Sequence, residues 1–92
     1  MQIISGNENV SFSYEKAGSA VAEIEDAILK SQLKPDDQNA VLEMLSEIKE
    51  QITQEKTPSI IKALFVGLKD FLINAGAGVV AGIIQAKIQG LF

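Results

Sequence analysis

Residues 71–86 (FLINAGAGVVAGIIQA) carry no charge, and they constrain this chain more than any other stretch. Three Gly and four Ala stand among them. Asn74, Gly78, Gly82, Ala86 and Gly90 recur at every fourth position. On a helix this spacing makes a ridge of small side chains along which another backbone can come close. A helix that is apolar on all sides must be covered on all sides. Glycine in a helix interior costs roughly 1 kcal/mol against Ala, which calls for a contact that uses its small size. Successive members of the ridge drift around the axis, so one straight partner helix meets mainly its middle, Gly78 and Gly82. The candidate contact residues are therefore Asn74, Gly78, Gly82 and Ala86, flanked by Phe71, Val79 and Ile83.

The rest of the chain supplies only part of that cover. Residues 2–5 (QIIS) and 10–14 (VSFSY) read as two short strands around the turn Gly6-Asn7-Glu8-Asn9. Val10, Phe12 and Tyr14 alternate with Ser11 and Ser13, the period of a half-buried strand. Such a hairpin is unstable alone and must lie on helices or on a neighbour. A first helix is predicted over about 19–32, with Ser19 as N-cap after Gly18 and an apolar face of Val21, Ile24 and Ile28. Asp26 and Lys30 are spaced to pair on it. The pair Lys34-Pro35 ends that helix. Pro35, Asp36 and Asp37 open a second helix running to about Gln54, with Val41, Leu45, Ile48 and Ile52 on one stripe. The short connection between the two predicts an antiparallel hairpin over 19–54. Thr57 caps a third helix, with Pro58 at its first position. Ile61, Leu64, Phe65, Leu68, Phe71 and Leu72 follow at helical spacing. The pattern predicts one long apolar helix over about 58–91, with a kink at Gly76 or Gly78 as a variant.

Charge is unevenly spread. Residues 1–56 hold 11 acidic and 5 basic side chains, whereas 57–92 hold Lys62, Lys69 and Lys87 against Asp70. Nucleic acid is an unsuited partner, because phosphate binding needs clustered cations. No His and no Cys are present, and every basic residue is Lys. The chain thus lacks the usual neutral-pH base, a thiol nucleophile and a thiolate metal site. Neighbouring carboxylates such as Asp36-Asp37 point apart on a helix and make a poor acid/base pair. No enzyme activity, cofactor or metal is expected. The start lacks the basic and apolar regions of a signal peptide, so cytoplasm is the expected location.

Two other readings of the Gly-rich run compete with helix packing. Gly76-Ala77-Gly78-Val79-Val80-Ala81 matches a dinucleotide-binding fingerprint by letter, but helical spacing precedes it where a strand is required. Membrane insertion is the main rival. The uncharged run is 16 residues, short of the roughly 20 that a spanning helix needs, and it contains Asn74 and Gln85. It could insert as an oligomer, or lie in an interface with Lys62, Lys69 and Lys87 reaching for water.

The order of parts resembles a known family. Gly6-Asn7-Glu8-Asn9-Val10, a helix ending near Leu33, an acidic helix opened by Pro35-Asp36-Asp37 and an Ala/Gly-rich apolar end are similar to the C-terminal part of abortive-infection proteins of the AbiTii type. The resemblance covers most of this chain but not the family's larger N-terminal portion. It implies a separable assembly module in a bacterial phage-defence or mobile-element setting, and it transfers no functional residue.

Together these readings predict one mainly α domain over 1–92. A β-hairpin arm (1–16) and an acidic helical hairpin (19–54) would pack on the apolar helix (57–92) in an oligomeric helical bundle. The expected function is non-enzymatic homo-oligomerisation or protein interaction. The alternative is a membrane-active pore-former or toxin whose apolar helix is masked in storage.

Overall fold

Four segments of the chain repeat one spacing of buried residues. Ala17, Val21, Ile24 and Ile28 are followed by Val41, Leu45, Ile48 and Ile52, then by Ile61, Phe65, Leu68 and Leu72, and finally by Ala81, Ile84 and Ile88. Steps of four and three keep each set on one side of a helix, the arrangement of an antiparallel bundle seam. The computed structural model describes residues 12–92. It places these sets on α1 (Tyr14–Leu29), α2 (Pro35–Thr53), α3 (Pro58–Asn74) and α4 (Gly78–Leu91). Helix α1 packs on α2 and α4, and α3 packs on α2 and α4, closing a ring of four around a single core. The all-α class is as expected, and there is no strand among the described residues.

Three expectations need correction. The first helix starts at Tyr14, not at Ser19, and Ser13 is its N-cap, accepting from the Lys16 N–H at 3.2 Å. The proposed β-hairpin is not supported: Tyr14 is helical and Phe12 is not in a strand, while its remaining residues lie outside those described. Alternation over Phe12 and Tyr14 has another cause. Both rings pack at one pole of the bundle, their centroids 4.9 Å apart, and Phe12 stacks on Phe92.

The long C-terminal helix is two helices. Gly76 has φ +83, and the chain reverses there. The Ala77 N–H donates to Leu72 O at 2.8 Å and the Gly76 N–H to Ile73 O at 3.1 Å. This pair of bonds closes a helix on a left-handed residue, where Gly carries no Cβ penalty. The start of α3 differs from expectation in one smaller respect. Thr57 occupies the N-cap position of α3, but its side chain makes no capping bond.

The end of α2 uses the same closure with the wrong residue. Lys56 N–H donates to Gln51 O and Glu55 N–H to Ile52 O, both at 3.0 Å, while Glu55 sits at φ 53. A non-Gly residue there is strained by about 1 kcal/mol or more. Replacing Glu55 by Gly is expected to raise stability by about 0.5–1 kcal/mol, since glycine's extra unfolded-state freedom takes back part of the gain. The urea midpoint of the variant checks this, and a lower midpoint would contradict it.

Polar ties fix the helix order. The Tyr14 hydroxyl donates to Lys56 O at 2.7 Å, joining α1 to the α2–α3 loop. Lys49 pairs with Glu25 at 3.5 Å between α2 and α1, and Lys87 pairs with Glu23 between α4 and α1. Lys69 donates to Gln85 Oε1 at 3.0 Å between α3 and α4. Asp26 and Lys30 pair at 3.0 Å along α1, as their spacing predicts.

Candidate interaction surface

The side chains of α4 divide into an inner set, two flanks and an outer set. Val80, Ala81, Ile84 and Ile88 fill the core. Gln85 reaches Lys69 on the α3 side, and Lys87 reaches Glu23 on the α1 side. The outer set is Gly78, Val79, Gly82, Ala86, Gln89 and Gly90, all exposed and all uncharged. Val79 is 83% exposed. An outward helix face in water ordinarily carries charge. That of α2 does so with Glu43, Glu47 and Glu50, but that of α4 does not.

The seven candidate residues do not share one surface. Gly78, Val79, Gly82 and Ala86 lie together on the outer face of α4, with the half-buried Ile83 at its edge. Asn74 is exposed at the end of α3, before the reversal. Phe71 is partly buried and packs on the core. It stands seven residues after Leu64, on the flank of α3 that faces α2. Small side chains serve no close packing among the described residues: a Cβ placed at Gly78, Gly82 or Gly90 meets nothing there within 4 Å. The ridge is real as a line of small residues, and it faces out.

Two recesses escaped the sequence reading, because each depends on which helices are neighbours. One cleft of about 350 Å³ opens at the pole opposite Phe92, where Ala27, Ser31, Leu33, Gly76, Val80 and Ile83 converge. A second, of about 370 Å³, runs between α2 and α3 over Ala40, Met44 and Leu64, with Glu43 and Glu47 on its lip. The acidity of α2 was visible in the sequence. The apolar floor beside it was not.

Among the described residues, no group of three or more acidic side chains is placed to hold a metal ion. No described helix is long and apolar enough to cross a membrane. The uncharged run that suggested a span is divided between the end of α3 and the start of α4. Compared with known proteins, the chain matches no family model, no curated protein and no solved structure.

Proposed function

We propose that this protein is a non-enzymatic self-association module whose contact is the outer face of α4. One observation carries the reading: α4 is apolar toward the core and uncharged toward water, with Val79 standing 83% exposed. Gly82, in the interior of α4, lowers helix propensity by roughly 1 kcal/mol against Ala, and Gly78 and Gly90 stand at its ends. Nothing among the described residues requires their small size. A second α4 laid across the face would use it, because small residues let helix axes approach and their ridges interlock. Burial of Val79 and its neighbours would drive the contact. In the bacterial phage-defence or mobile-element setting that the family resemblance implies, such a module would join subunits of a larger assembly.

Mass in solution, measured by sedimentation across a concentration series, tests this. The wild-type chain is expected to form a defined oligomer, and Gly82→Leu to reduce it to monomer. A Cβ at that position meets nothing among the described residues, and Leu is a better helix former by nearly 1 kcal/mol, so the fold should melt no lower. A monomeric wild type, or a Gly82→Leu variant of unchanged mass, would refute the contact. The same uncharged face supports a second reading, a helix lying flat on a lipid surface without crossing it. Flotation with liposomes separates the two: a monomer that floats with vesicles replaces self-association by membrane binding.

A further inference from the structure

Helix α2 carries the largest net charge of the four helices, ahead of α1, where Glu15, Glu23, Glu25 and Asp26 stand against Lys16. Asp36, Asp37, Glu43, Glu47 and Glu50 stand on α2 against Lys49, a net of −4, which equals the net charge of the whole chain. None of these five carboxylates is in an ion pair among the described residues, for the three pairs present use Glu23, Glu25 and Asp26. Lys49 itself is turned to Glu25 of α1. Glu47 and Glu50 accept only from Gln51 and Gln54 on their own helix.

Beside this unneutralised charge lies the α2–α3 cleft. Its floor is Ala40, Met44 and Leu64, with Glu43 and Glu47 one helical turn apart on the α2 side. The α3 side is uncharged. Ile60, Leu64, Gly67 and Phe71 follow one another at steps of four and three, each one residue before a buried core position. Ile60 is 47% exposed, and nothing stands within 4 Å of a Cβ placed at Gly67, so this wall is low. The cleft thus has an apolar floor, an acidic edge on α2, and Leu64 as its lining on the α3 side.

We propose that the α2–α3 groove is a docking site for a basic amphipathic helix of another protein. Its apolar side chains would seat between Met44 and Leu64, and its Lys or Arg residues one turn apart would meet Glu43 and Glu47. This is the helix-in-groove mode, with an adaptable Met at the floor. A second copy of this chain is a poor complement. Lys16, Lys34, Lys56 and Lys62 are in no ion pair among the described residues, but no described helix carries two Lys one turn apart, and the open face of α4 has no cation. The groove is therefore a surface separate from the one proposed for self-association, and complementary charge would steer the partner to it.

The test uses three fluorescent 15-residue peptides: one with Leu at helical spacing flanked by Lys, one with Glu replacing Lys, and one with Ser replacing Leu. The Lys/Leu peptide is expected to bind, more weakly as salt is added, and to shift the amide resonances of residues 40–47 and 60–67. Glu43→Lys with Glu47→Lys, both exposed and harmless to the fold, should weaken it by about tenfold or more. The Glu/Leu and Lys/Ser peptides should bind at least as poorly. Equal binding of the Lys/Ser peptide would overturn the groove in favour of diffuse charge. Retained binding by the double variant, or shifts confined to α4, would overturn it as well. A changed mass of the double variant alone would make the groove a contact between copies. Gly82→Leu should leave peptide binding intact, which separates this site from the α4 face.

Discussion

Phe65→Ala is expected to remove about 3–5 kcal/mol of stability, the usual cost of emptying a large buried aromatic site. Phe65 is fully buried and is the largest such side chain in the core. It lies on α3 near the pole where Phe12 stacks on Phe92, with the Phe65 and Phe92 rings 6.4 Å apart. Truncation therefore loosens three segments at once: the chain entering α1, the middle of α3 and the end of α4. A domain of this size is held by only about 5–15 kcal/mol. The variant should show a much lower urea midpoint, followed by helical circular dichroism. A loss below about 1 kcal/mol would mean that Phe65 is not part of a close-packed core.

Gly76→Val is expected to act through the backbone. At φ +83 a β-branched side chain is strained by about 1–2 kcal/mol. A Cβ there meets no neighbouring atom, so the cost comes from the main chain alone. The variant has a way out. Residues 72–78 can continue α3 directly into α4 and abandon the reversal. In that form α4 leaves its own bundle and can complete a second one, a domain-swapped dimer. Gly76→Val should thus give a less stable monomer together with a slowly formed species of twice the mass. Light scattering after size exclusion detects it. A variant as stable and as monodisperse as the parent would show that the reversal does not depend on glycine.

How far the sequence could be read varies from helix to helix, for physical reasons. Helix α2 was legible almost to the residue. Pro35 and two Asp mark its start, and Val41, Leu45, Ile48 and Ile52 stand against a charged background. The start of α1 was missed because Gly18-Ser19 imitates a break and a cap. Yet Ala17 is fully buried and continues the four-three spacing upstream of both. A small residue at a core position gives periodicity little to register. The reversal at Gly76 was hidden by uniform apolarity. Where every face is apolar, spacing no longer tells inside from outside. Gly78, Gly82 and Ala86 were recognised as one line of small residues, but not the direction it faces. That direction is set by Ala81, Ile84 and Ile88 winning the core. The groove over Met44 and Leu64 could not be seen at all without the pairing of α2 with α3.

The meeting of Phe12 with Phe92 has a mechanical consequence. Their ring centroids lie 4.9 Å apart, so the first and last described residues share one pole of the bundle. A load applied through these two points acts across the helices, not along them. It would peel α4 from α1 starting at the aromatic stack and proceed turn by turn toward the Lys87–Glu23 pair. Resistance is then met one contact at a time. Tension between Phe12 and Phe92 would thus open the bundle by unzipping, not by sliding its helices past one another.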